Sequence, residues 1–218
     1  MPKVKNNYSQ IILEAINSLP YFRIEDLMPV CKDRGYLKQF LYRGKQSGKI
    51  VSLKRGVYVS VEYLELLNQK GGRNDYYEFV ANNIYQPSYL SGEYVMQKYG
   101  LLSESVNSFV SISSNKTKKF LNDFGIFKYH HLKDELFCGF KNETKNGFII
   151  AEATLAKSVF DFLYLRKYIL NSLEQVKALR LNLENIKKKD LDELKKYINK
   201  EKSKKMKLIY NYLVDLYE

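Results

Sequence analysis

His130-His131 are the only histidines in 218 residues, and any search for metal or acid–base chemistry begins with them. Neighbours on an extended strand point to opposite faces, so the pair cannot grip one ion from a flat strand. Cys31 and Cys138 lie at no zinc-ligand spacing from them. A Mg²⁺-dependent nuclease needs converging carboxylates. Asp134-Glu135 and Glu152 with Lys157 supply acids near expected strand ends, but the acid–spacer–acid-x-Lys spacing is absent. A Ser–His–Asp grouping can be assembled only by free choice among many serines. These residues predict no enzyme, no bound metal and no cofactor.

Residues 34–55 offer a different chemistry. Turned at about 100° per residue, a helix over Arg34–Ser47 collects Leu37, Phe40, Leu41 and Gly44 on one side and Gly35, Gln39, Tyr42 and Gln46 on the other. Lys38 and Lys45 flank the polar strip on one edge, Tyr36 and Arg43 on the other. Gln pairs in two-pronged fashion with an adenine edge, and Tyr reaches phosphate or a thymine methyl. The flanking cations, with Arg34 and Lys49 at the ends of the stretch, would neutralise phosphates and fix register without reading sequence. Lys54-Arg55 would form the tip of a following hairpin and touch the backbone or the adjacent minor groove. The plain alternative is a solvated polar face on a protein-docking module.

The elements that must hold this strip are legible around it. Ser9 can cap a first helix with apolar Ile12, Ala15, Ile16 and Leu19, stopped by Pro20. A short second helix spans about Ile24–Cys31, disturbed by Pro29. Asp33 precedes the third, which Gly48 ends. Lys49–Leu53, a Lys54-Arg55-Gly56 turn and Val57–Val59 make a hairpin. Three helices and a hairpin in that order predict a winged helix-turn-helix over residues 1–60. These residues hold eleven Lys and Arg against four Asp and Glu, so they carry +7 of the chain's +12 and favour a polyanionic partner.

Residues 61–85 read as a helical linker broken at Gly71-Gly72. Residues 86–165 read as an α+β domain: a helix at Ser91–Tyr99, a small antiparallel sheet from Ser108–Ser113, Lys119–Leu121, Phe124–Leu132, Leu136–Phe140 and Phe148–Ala151, then a helix from Glu152 to about Arg166. Residues 166–218 predict C-terminal helices packed on that domain, with Lys187–Lys189 and Lys200–Lys207 as solvated faces or junctions. At 45% hydrophobic and 28% charged residues, the composition is that of a folded chain. Two lone thiols, a polar Met1–Gln10 without a signal-peptide core and no apolar run of about 20 residues predict a cytoplasmic, non-membrane protein.

Three stretches resemble the AbiEi-type antitoxins of type IV (abortive infection) toxin–antitoxin systems. Gly48–Ile50 through Arg55-Gly56-Val57-Tyr58 is similar to that family's wing. Pro87–Ser91, followed by Tyr99-Gly100-Leu101, is similar to the block opening its second domain. Ile150-Ala151 with Lys157 and Asp161 resembles an Ala…Glu-Lys-Ala-x-x-Asp stretch, here with Ala156 and Ser158 at the Glu and Ala positions. Lys157 and Asp161, spaced i,i+4, can pair on the helix surface and are the candidate antitoxin residues. The likeness spans residues 9–165. It implies an autorepressor that binds promoter inverted repeats while its C-terminal part counteracts a nucleotidyltransferase-like toxin without a stable complex. The rival expectation is a winged-helix transcription factor with a ligand-sensing or oligomerising C-terminal domain.

Overall fold

The computed structural model describes residues 3–217, with side chains from Tyr8 onward. Met1 and Pro2, part of the polar start weighed above as a signal peptide, lie outside the described residues. Ile12 and Ile16 fall on one side of α1, Lys3–Asn17, and are fully buried. Ser9, expected as the cap, sits inside this helix, because helical backbone already precedes it.

The second helix is shorter than its pattern suggested. α2 covers Ile24–Leu27, and the N–H groups of Val30 and Cys31 both turn back to the Leu27 carbonyl. Pro29 has no N–H with which to continue the ladder. α3 covers Arg34–Gln46, with the Asp33 carboxylate accepting the Tyr36 N–H at 2.9 Å. Gly48, at φ 70°, carries the chain out of it. β1, Ile50–Lys54, and β2, Val57–Ser60, pair antiparallel with an irregularity between Ser52 and Lys54. Phe22 and Tyr58 exchange both backbone hydrogen bonds, at 2.8 and 2.9 Å, which ties the α1–α2 connection to β2. α4, Val61–Gln69, and α5, Arg73–Asn83, follow.

The chain divides into two units, one of Met1–Val80 with Leu121–Phe124 and the other of Ala81–Phe120 with Gly125–Glu218. The division falls within α5, after Val80.

The second unit holds a six-stranded sheet, all but Leu121 and Asn122 of which belong to it. β3, Ser88–Leu90, leads into α6, Gly92–Lys98; then come β4, Ser108–Ser113, β5, Lys118–Asn122, and β6, Gly125–His131. A short 3₁₀ turn at Asp134–Leu136 precedes β7, Phe140–Lys145, and β8, Phe148–Ala153. Four helices finish the chain: α7, Leu155–Arg166; α8, Leu173–Lys177; α9, Lys188–Glu201; and α10, Lys204–Tyr217. The strand order is β5-β6-β4-β3-β8-β7.

The class is α+β, but the sheet is mixed rather than antiparallel. β4 runs parallel to β6, and β3 parallel to β8, while β3–β4 and β7–β8 are antiparallel. Burial explains the order. β6 brings Phe127 and Tyr129 beside β4, whereas the largely exposed β5 is left at an edge. The strand expected at Leu136–Phe140 is a turn; the strand begins at Phe140 and is mostly polar because it forms the other edge. β3 gave no sequence signal because three residues, all buried, cannot show alternation. Glu152 belongs to β8 and not to the following helix, which Thr154 caps by accepting the Lys157 N–H.

α7 lies deepest in this unit. Every residue from Leu155 to Leu163 is buried, and α9 and α10 add Leu191, Leu194, Ile198, Met206, Ile209 and Leu213 to the same core. No helix among the described residues is long and apolar enough to cross a membrane.

Candidate nucleic-acid interface

α3 separates its residues by face. Leu37 and Leu41 are buried with Ile12, Ile16, Phe22, Leu27 and Ile50, and Phe40 packs against that cluster. Lys38, Gln39, Arg43, Lys45 and Gln46 are exposed, and Tyr42 keeps 65% of its surface in water. The exposed ring stands between two glutamines and three cations, an amphipathic side chain open to a contact surface. A Cβ at Gly44 would lie 2.5 Å from Ile50 Cδ1, so a larger residue there would require the Ile50 side chain to move.

The remaining residues of the predicted strip differ in setting. Arg34 Nη2 lies 2.8 Å from Glu25 Oε1, an exposed ion pair that offsets part of its charge. Tyr36 does not stand at the outer margin; it is half-buried, and its hydroxyl lies 2.6 Å from Ser9 Oγ, linking α3 to α1. Lys49 is exposed at the start of the hairpin, Lys54 is half-buried, and Arg55 is exposed at the tip. Gly56, at φ 80°, closes that turn. Asn122, from the Leu121–Phe124 segment of the same unit, donates from Nδ2 to the Leu53 carbonyl at 2.8 Å and braces β1. Nothing in the sequence signalled that brace, because the two residues are 69 positions apart.

Lys157 and Asp161 are not a surface pair. Both side chains have no exposure, and Lys157 Nζ lies 2.6 Å from Asp161 Oδ1. The helix face that carries them points into the core, which periodicity alone could not distinguish from solvent once two charges occupied it. Ser91 Oγ donates to Asp161 Oδ2 at 2.7 Å, and the Tyr89 hydroxyl donates to the same oxygen at 3.1 Å. The ammonium lies 4.6, 5.4 and 5.9 Å from the ring centroids of Phe160, Tyr197 and Tyr89. Burial pushes the Asp161 carboxyl up, while the Lys157 ammonium and the Ser91 and Tyr89 hydroxyls pull it down. Burial and the Asp161 charge push the Tyr89 hydroxyl far up, so it remains a donor. Two of the three stretches that carry the family likeness, Pro87–Ser91 and Lys157…Asp161, thus meet at one buried carboxylate.

Gly139 completes the cluster. It holds φ 79°, and a Cβ there would run into the Tyr197 hydroxyl and lie 3.0 Å from Lys157 Cγ. Tyr197 in turn donates to Glu193 Oε1 at 2.7 Å, which also accepts the Thr154 hydroxyl at 2.7 Å.

The other residues considered for chemistry are dispersed. His130 and His131 sit on β6; His130 is half-buried, and burial holds its imidazole below the ordinary value. His131 is exposed, with Nδ1 near the Ser114 and Asn115 carbonyls. Asp134 and Glu135 are exposed on the 3₁₀ turn, while buried Glu152 is held by Lys98 and by Lys145 at 3.4 Å. Cys31 is buried and Cys138 partly so. Among the described residues no group of three or more His, Cys, Asp and Glu converges as a metal site would. No protein-family model matches this chain, and no curated protein matches it.

Proposed function

We propose that residues 1–60 form a winged helix-turn-helix that binds double-stranded promoter DNA through α3, and that the chain is a transcriptional autorepressor and antitoxin. The carrying observation is the split of α3: Leu37 and Leu41 are buried while Gln39, Tyr42 and Gln46 face water between Lys38, Arg43 and Lys45. That arrangement suits a helix lying in a major groove, its amides at base edges and its cations at phosphates. The hairpin with Arg55 at its tip supports a wing.

The antitoxin part of the reading rests on the resemblance, and the meeting of Tyr89, Ser91, Lys157 and Asp161 supports it. Those residues are enclosed, so their role toward a nucleotidyltransferase-like toxin is to hold the shape of the second unit. Its outer surface would do the counteracting, without a stable complex. The second reading, a transcription factor with a sensing C-terminal domain, draws support from a cavity of about 350 Å³ beside Glu152, Thr154 and the start of α9.

Electrophoretic shift of the chain's own promoter tests the DNA reading. Gln39→Ala and Gln46→Ala should relax sequence preference by about 1–3 kcal/mol per lost base pair contact, and Arg43→Ala with Lys45→Ala should weaken all duplexes alike. If all three variants shift promoter and scrambled DNA as the parent does, α3 is not the reading helix. Co-expression with a neighbouring nucleotidyltransferase-like gene tests the antitoxin part: growth restored by the second unit's surface supports it, and toxicity unrelieved by the whole chain rejects it.

A further inference from the structure

The chain's positive charge is held in two places. Residues 1–60 carry +7, residues 187–207 carry +6 from ten lysines and four acids, and the rest of the chain sums to −1. The second concentration lies on α9 and its flanks. Leu191, Leu194 and Ile198 occupy one side of α9 and are buried. Lys188, Lys189, Lys195, Lys196 and Lys200 occupy the opposite side and are exposed.

A solvated helix face that is balanced intersperses acids with its lysines in comparable number. Here lysines outnumber acids on the exposed side, and three of the four acids hold other partners. Asp190 accepts the Lys187 N–H at 3.0 Å. Glu193 accepts the Thr154 and Tyr197 hydroxyls. Glu201 accepts from Lys167 at 3.0 Å and from the Ser203 N–H at 2.9 Å. Of the four, Asp192 alone is exposed, and by helical spacing it is the one acid among the five lysines of this face. Among the described residues Lys188, Lys189, Lys195 and Lys196 have no ion-pair partner. From Lys188 to Lys200 the face runs roughly 18 Å at 1.5 Å per residue.

We propose that this lysine face of α9 is a second, sequence-independent contact for duplex DNA. It rests on the reading of α3 and adds to it. Ammonium groups are compact point charges that follow phosphates and do not read base edges. Apart from Asn199 and Asp192, the face carries no side chain able to pair with a base. A duplex bears one charge per roughly 1.7 Å of axis, so this length of it carries about ten phosphates, of which those on the near side can meet the lysines. DNA is the occupant the charge favours: residues 1–60 and the α9 region together hold all of the chain's net positive charge, and the reading of α3 already gives the chain a polyanion of that kind.

The test uses the full chain and the quadruple variant Lys188→Gln, Lys189→Gln, Lys195→Gln and Lys196→Gln, with circular dichroism to confirm the fold. Binding is measured on promoter and scrambled duplexes of one length from 50 to 200 mM salt. Each lysine that meets a phosphate contributes about 0.9 to the slope of log affinity against log salt, so the variant should be shallower by up to about 3.6 on both duplexes. The parent then loses up to about a hundred-fold more affinity than the variant across that range. Sequence preference should not change. An unaltered slope overturns the proposal, and so does a change seen only with duplex RNA or with a polyglutamate competitor. Arg43→Ala with Lys45→Ala, run in parallel, separates the two readings: if that pair has no effect while the lysine variant flattens the slope, α3 is misassigned and the α9 contact stands.

Discussion

Replacing Lys157 with Met is expected to destabilise the second unit by about 3–5 kcal/mol, whereas replacing both Lys157 and Asp161 with apolar residues should restore most of the loss. The ion pair is fully enclosed at 2.6 Å. At an effective dielectric of about 20, the gross attraction at that separation is roughly 6 kcal/mol, and removing each ion from water costs several kcal/mol. The pair is therefore close to neutral against an apolar filling, while a single buried charge without its partner is costly. Lys157→Met keeps the chain length that lies on Phe160 and Tyr197, so lost packing is a small part of the effect.

Asp161 has an escape route, and that supplies a sign. Burial already pushes its carboxyl up, and without Lys157 the main opposing influence is gone. A carboxyl whose folded pKa exceeds its unfolded value stabilises the fold below the unfolded value and loses that contribution as pH rises through the folded one. The Lys157→Met variant should therefore regain stability relative to the parent as pH falls from 7 toward 4. Urea unfolding followed by circular dichroism at several pH values gives the four corners of the double-mutant cycle. A cost under about 0.5 kcal/mol for Lys157→Met would mean the pair behaves as an exposed i,i+4 pair, and the buried assignment would be wrong. Equal losses from the single and double variants would also refute it.

Three further outcomes follow from named contacts. Gly139→Ala should cost about 1–3 kcal/mol, because a left-handed φ and the Tyr197 hydroxyl both exclude a Cβ; a thermal midpoint within a degree of the parent would contradict the close approach. Tyr42→Ala should leave the thermal midpoint unchanged, since the ring is 65% exposed, yet weaken promoter binding at least several-fold; a stability loss above about 1 kcal/mol would show that the ring is packed. Burial raises the Glu201 carboxyl, but the Ser203 hydroxyl, the Lys167 ammonium and the Ser203 N–H outweigh it and hold it below its ordinary value. Its contribution is thus present above about pH 4.5 and is lost as pH falls through the lower folded value. Glu201→Gln should cost about 1–2 kcal/mol at neutral pH and converge with the parent in acid; a constant difference down to pH 3 would remove the ionised carboxylate from the account.

The local elements were legible because their determinants are local. Asp33 before the third helix, Gly48 after it and Gly56 in the hairpin turn act through backbone dihedrals and single hydrogen bonds within a few residues. The two-faced pattern of α3 needed only helical periodicity, since the buried Leu37 and Leu41 and the exposed Gln39, Tyr42 and Gln46 follow from angle alone. The short β3 and the polar β7 were illegible for the opposite reason: one is too brief to alternate, and the other earns its place by pairing with β8.

By itself, the sequence determined where α3 starts and stops, which of its sides is apolar and where positive charge accumulates, all of which are set by chain neighbours. Only the tertiary structure decided that Lys157 and Asp161 are enclosed, that Tyr36 turns to Ser9, that β4 and β6 run parallel and that Asn122 braces Leu53. Each of these depends on residues far apart in the chain, and whether a charge faces water or a carboxylate is fixed by what packs over it.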